Sequence, residues 1–279
     1  MRVQTIRRLG VSMIITVISI KGGVGKTTVS SSLAYSLAAR GKRVLAVDMD
    51  LGAGGLDISL GCEGKVAPDI TCYFRGESSL DETAVPTKYD GLFVALSPMD
   101  DIMSSYFSKE KEHPYSDITA DRIKECLQEM RSSFDFVIFD MPAGGGYFQD
   151  MILSGGSDLA AVITTDGVFS IRAAEKVAAD AAKRFSGEIR MIINGYSFYS
   201  PDYNFAGIVS LITTVKCRLL GIIPYDAETE RFQRLGTPMS AVKKSPAGQA
   251  IINIAGRICG ENVPVMDKLV RRRKRHLFF

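Results

Sequence analysis

The feature that most narrows what this chain can fold into is an eight-residue run, Lys21-Gly22-Gly23-Val24-Gly25-Lys26-Thr27-Thr28, set between a β-branched stretch and a helical pattern. Closely spaced glycines let the backbone curl until several N–H groups point inward together. The positive end of the helix that follows adds to the pull on an anion. In such a loop Gly22, Gly23, Val24, Gly25 and Thr28 line a phosphate cradle, Lys26 reaches the β/γ-phosphates and the Thr27 hydroxyl is placed to ligate Mg²⁺. A glycine-rich turn alone carries little weight. The Gly-Lys-Thr ending in a strand–loop–helix context is what sets this one apart from a purely structural turn.

The surrounding pattern agrees. Short apolar runs at residues 14–18, 43–48, 92–96, 136–140, 159–164, 189–194 and 218–223 read as buried strands. Helical spacing is expected from Thr27 to Arg40, closed by Gly41, and over 119–131, where Ile123, Leu127 and Met130 share one face. Ser245-Pro246 opens another helix that runs through Ile258 to a stop at Gly260. Strands alternating with helices predict an α/β fold, a mostly parallel sheet with helices on both faces. The absence of a repeat or low-complexity linker makes one domain of 279 residues the economical reading.

Two carboxylate-bearing segments stand where strands end. Leu45-Ala46-Val47-Asp48-Met49-Asp50 leaves a strand with alternating acids, and Phe136-Val137-Ile138-Phe139-Asp140 places one acid after four apolar residues. A carboxylate at a strand's C-terminal end can hold a metal shell or an attacking water beside a terminal phosphate. For Asp48 and Asp50 a turn or helix-capping role is the competing reading. For Asp140 burial without a partner would be costly, which favours the metal-binding form. Gly144, Gly145 and Gly146 follow it and leave that loop free to rearrange.

With Lys21 directly before the glycines, the chain resembles the MinD/ParA family of deviant-Walker-A P-loop ATPases, and its MinD branch most. The likeness runs from Met13 onward and is strongest at residues 21–63 and 136–144. It implies ATP and Mg²⁺ as cofactors, and hydrolysis of ATP to ADP and phosphate. It further implies an ATP-dependent homodimer in which Lys21 reaches the partner's phosphates, with Asp50 orienting water and Asp48 beside the Mg²⁺ shell of Thr27 and Asp140. Asn194 would pair with the adenine edge, and Gly221-Ile222-Ile223-Pro224-Tyr225-Asp226 looks like the family's segment beside the base; Asn194 as a plain turn residue stays open. Three positions depart from the family pattern: Ile20 for the opening glycine, Gly55 before Leu56-Asp57, and Gly195 after Asn194. Gly54-Gly55 is expected to make its loop more mobile.

Charge is uneven. Lys268, Arg271, Arg272, Arg273, Lys274 and Arg275 crowd the end of the chain; setting these six aside from 34 basic residues leaves fewer than the 31 acidic ones. A mildly acidic body with a basic tail ending in Leu277-Phe278-Phe279 points to an anionic partner met locally. Residues 265–279 read as an amphipathic membrane-targeting tail, 13–264 as the ATPase domain and 1–12 as an N-terminal extension. The MinD-like reading implies a positioning role in cell division, at the inner face of the cell membrane and in the cytoplasm, with a protein activator and a division-inhibitor partner. A ParA-like or flagellar-placement ATPase acting on DNA or another cargo is the alternative, and the acidic body counts against DNA. Five scattered cysteines without a CxxC pair argue against iron–sulfur, zinc and disulfide frameworks, and no glutamine-hydrolysing nucleophile turn supports an amide-forming enzyme.

Overall fold

The computed structural model describes residues 12–51, 54–98, 113–197 and 205–265. Residues 1–11 of the extension and nearly all of the basic tail lie outside them, as do two residues of the loop after Asp50. Eight strands form one sheet: β1 (Met13–Ser19), β2 (Val44–Asp48), β3 (Val85–Pro86), β4 (Leu92–Ala95), β5 (Phe136–Ala143), β6 (Leu159–Thr164), β7 (Glu188–Tyr196) and β8 (Arg218–Pro224). Their order across the sheet is β3-β4-β2-β5-β1-β6-β7-β8. All pair in parallel except β3, a two-residue edge strand set antiparallel against β4. Its proline sits at the sheet margin, the place where a missing N–H does least harm.

The two-residue period of each strand divides the core. Ile14 and Ile18, Leu45 and Val47, Val137 and Phe139 face one layer; Ile15 and Val17, Val44 and Ala46, Phe136 and Ile138 face the other. The first layer is completed by Ile123, Leu127 and Met130 of a helix at Ala120–Ser133, and by Ala174, Val177 and Ala178 of one at Val168–Ala182. Helix α1 (Lys26–Ala38) and a helix at Pro246–Ile258 cover the opposite face through Leu33, Leu37, Ile251 and Ile254. Both expected helix starts carry their caps: Thr119 accepts from the Arg122 N–H at 3.2 Å, and Ser245 from the Gly248 N–H at 2.9 Å.

Helix α1 is not a surface helix. Ser30, Ser31, Ser32 and Ser36 are buried along it, where small hydroxyls let the sheet and the Pro246–Ile258 helix approach from two sides. Ser36 turns its hydroxyl back to the Ser32 carbonyl at 2.8 Å, so that burial leaves no orphan donor. The strand order then does the positioning. β1 lies between β5 and β6, so the chain leaves it toward β2 on one side and returns on the other, opening a crevice beyond the C-terminal strand ends.

A phosphate cradle with two buried carboxylates

The glycine-rich loop joins β1 to α1 at that crevice. Gly25 precedes α1 at φ 90°, and a Cβ there would lie 2.2 Å from the Asn194 side-chain nitrogen. Left-handed backbone and close approach both demand glycine at this point. Gly23 also has positive φ, at 72°. The two lysines part company: Lys26 is only 8 % exposed, whereas Lys21 is exposed and forms no salt bridge among the described residues.

Beneath the loop, Asp48 and Asp140 stand side by side, paired in register on β2 and β5. Asp140 is 1 % exposed; one oxygen accepts from Thr27 Oγ1 at 2.6 Å and the other from Ser30 Oγ at 2.9 Å. Burial, then the neighbouring Asp48 charge, pushes its carboxyl up from 3.8 to about 7. Asp48 is raised to about 6, again chiefly by burial, against the lowering pull of three backbone N–H groups. Two buried acids held this far above their ordinary range form a site short of positive charge. No cluster of three or more His, Cys, Asp or Glu among the described residues could hold a metal alone. The donor set of hydroxyl plus one or two carboxylates suits Mg²⁺, which keeps waters and takes phosphate oxygens for the remainder of its shell.

The loop after β2 is tied to this centre. Asp48 accepts from the Asp50 N–H at 3.0 Å and, through its other oxygen, from Gly55 and Leu56 N–H at 2.8 and 3.0 Å. It thereby caps the first turn of α2 (Leu56–Leu60), the competing capping role, while also flanking Asp140. Gly54 has a steric reason to be glycine: a Cβ there would lie 2.2 Å from Ser97 Oγ and 3.0 Å from an Asp48 oxygen. Asp50 is half-buried and lines a cavity of about 150 Å³ with His113, Pro142 and Tyr147. The loop after Asp140 is pinned to the cradle strand by the Gly144 N–H, which donates to Ser19 O at 2.9 Å, before Gly144 and Gly145 turn with φ 82° and 86°.

On the far side, Asn194 donates its amide to the Val24 carbonyl at 2.8 Å, so this residue braces the cradle itself. Pro224 ends β8, buried and in register with Tyr196. The Asp226 carboxylate accepts from Ser245 Oγ at 2.7 Å and from the Glu228 N–H at 3.2 Å. Two residues at the centre escaped the sequence reading. Ser30 lies one turn beyond Thr27, on the same helix face, a spacing that could have revealed it. Gln233, from a helix at Thr229–Arg234, donates to Thr28 Oγ1 across 205 residues of sequence, and no local pattern announces it.

A parallel sheet, a glycine cradle at a helix start and buried acids on the adjacent strands define a P-loop nucleotide hydrolase. Comparison with known proteins narrows the class. The family model described as an AAA domain matches residues 12–183. The septum site-determining protein MinD of Bacillus subtilis is 31 % identical over 262 residues, 92 % of either chain. The MinD chain of a MinC:MinD cell division complex from Aquifex aeolicus superposes with TM-score 0.76 at 26 % identity, over 91 % of this chain and 98 % of that one. MinD of Pyrococcus horikoshii complexed with Mg-ADP shares the fold (TM-score 0.74, 24 % identity, 93 % and 97 % covered), as does the ATP complex of Cyanothece McdA(D38A) (0.72, 16 %, 90 % and 97 %). The chain belongs to the MinD/ParA family of P-loop ATPases, enzymes that hydrolyse ATP.

Proposed function

We propose that this ATPase is a MinD-like positioning switch, in which ATP pairs two copies and attaches them to an anionic membrane, and hydrolysis releases them. The observation that carries the pairing is the division of labour between the two lysines of one loop. Lys26 is buried, while Lys21 is exposed and forms no salt bridge among the described residues, available to a second copy's phosphates. Gly22 to Thr28 would hold the phosphates, and Asn194, Pro224 and Asp226 the base side. Mg²⁺, held by Thr27 and Asp140 with Asp48 alongside, would neutralise charge on the β- and γ-oxygens. Asp50 would orient the attacking water, and separation of charge on phosphate release would free the loops anchored at Asp48 and Gly144.

The cell-division role draws support from the MinD relatives that match over nine-tenths of their length. A division-inhibitor partner is supported by the Aquifex relative, which was solved with MinC. No helix among the described residues is long and apolar enough to cross a membrane, so attachment falls to the basic, apolar-ended residues 265–279. Each basic residue close to an anionic surface contributes about 1 kcal/mol, and pairing doubles the number engaged. Flotation with anionic liposomes tests this. The full chain should float with ATP and not with ADP, and a 1–264 truncation should stay at the bottom of the gradient. If the truncation floats equally, or if plasmid DNA rather than lipid captures the ATP form, the membrane reading is wrong and a ParA-like one replaces it.

A further inference from the structure

Gln233 is held against the nucleotide cradle by anchors that directly follow its helix. Downstream, the Met239 N–H donates to Ser32 Oγ at 2.9 Å and Ser240 Oγ to Ser32 O at 2.6 Å, fixing the chain to the middle of α1. Between the helix and that anchor, Gly236 meets Gly61 so closely that a Cβ would sit 2.6 Å from the Gly61 Cα, setting the helix end against the end of α2. The half-buried Gln233 side chain is thereby delivered to Thr28, the hydroxyl residue directly after the Mg²⁺-ligating position, where its amide N–H donates to Thr28 Oγ1.

A threonine hydroxyl has one proton to give and two lone pairs to receive. Once an amide N–H occupies a lone pair, the hydroxyl's own proton must point elsewhere, and α1 begins where phosphate would lie. We propose that Gln233 is a positioning residue that sets the Thr28 hydroxyl as a donor to a phosphate common to ADP and ATP. This rests on the nucleotide site proposed above and deepens it. Because that contact does not involve the γ-phosphate, it strengthens ADP and ATP alike, and a variant should show its loss in KM rather than in kcat.

Four substitutions, alone and combined, and equilibrium binding of ADP and ATP test it. Gln233→Leu keeps the bulk and removes the donor; both nucleotides should weaken about three- to tenfold, the value of one neutral hydrogen bond. Gln233→Glu separates the proposal from a mere tie between helices. A carboxylate still bonds the Thr28 hydroxyl, so a structural tie survives, but it draws the proton away and adds repulsion; binding should fall more than about tenfold, below the leucine variant. In a Thr28→Val background, Gln233→Leu should cause no further loss, while Thr28→Ser should keep the full effect. Thermal melting without nucleotide checks that each variant is folded. Glutamate binding as well as glutamine, or additive losses in the Thr28→Val background, would overturn the assignment. If the unaltered chain bound neither nucleotide, the site itself would be refuted.

Discussion

Replacing Asp140 with asparagine should make the metal-free protein more stable while disabling Mg²⁺-dependent turnover. Asp140 is 1 % exposed beside Asp48, and burial with that neighbouring charge raises its carboxyl from 3.8 to about 7. Native Asp140 therefore keeps a proton that the unfolded chain releases near 3.8. Stability falls as pH rises from that value to about 7, and above it the penalty is constant. At about 1.4 kcal/mol per decade, ionised Asp140 costs the empty fold about 4 kcal/mol at pH 8. Asparagine must still meet the Thr27 and Ser30 hydroxyls with one oxygen and one NH₂, which returns about 1 kcal/mol of that. The net gain of about 3 kcal/mol corresponds to a rise in Tm of roughly 6–12 °C for a chain of this size. Thermal melts in EDTA without nucleotide, at pH 5 and pH 8, measure it: the gap between Asp140→Asn and the unaltered chain should open with pH. Should the variant melt lower at pH 8, Asp140 is a structural acid with its charge already balanced, and the argument for a cation-shaped deficit collapses.

Other expectations follow from single contacts. Gly25→Ala should remove nucleotide binding, since it forces φ 90° on an L-residue and drives a methyl into Asn194; isothermal titration with ADP reads this directly. Lowering the pH through about 7 to 6 should weaken Mg²⁺-dependent nucleotide binding, because protons then compete for Asp140 and Asp48, whereas Mg²⁺-independent binding should change much less. Arg257 is 3 % exposed and donates to Leu220 O at 2.8 Å and to Val263 O and Pro264 O at 3.2 and 3.1 Å, fastening the segment from which the tail departs. Arg257→Met should cost about 2–3 kcal/mol in urea unfolding by leaving those carbonyls unpaired.

The parts of this molecule written into local sequence were readable there. Strands β1, β2 and β6 are all-buried runs, and the helices at 120–133 and 246–258 announce themselves by apolar spacing and by Thr119 and Ser245. The cradle was legible because it is contiguous. What sequence hid is whatever depends on remote partners. β5 continues to Ala143 because its end pairs with Ser19, a neighbour fixed only by sheet order. The antiparallel β3 is too short to carry a period. Asp48 was visible as an acid at a strand end, yet its three backbone donors belong to the following turn, so its capping function needed coordinates. Sequence alone predicts that Gly54 loosens its loop, while the structure gives it a packing reason beside Ser97. For Asn194 the resemblance implies a base contact and local sequence leaves a plain turn role open; its bond to the Val24 carbonyl is a bracing contact that no spacing encodes. The family departures at Ile20, Gly55 and Gly195 leave the sheet and the cradle intact. The basic residues 266–279 lie outside the described part of the chain, so their reading still rests on composition.

Sedimentation velocity on an Asp50→Ala chain, which should retain ATP, tests the two-lysine account most directly. With Mg²⁺ and ATP it should run as a dimer and with ADP as a monomer. Adding Lys21→Ala should hold it monomeric although ATP remains bound through Lys26. A dimer that survives loss of Lys21, or that forms equally well with ADP, would contradict the claim that the outward lysine joins two copies across their phosphates.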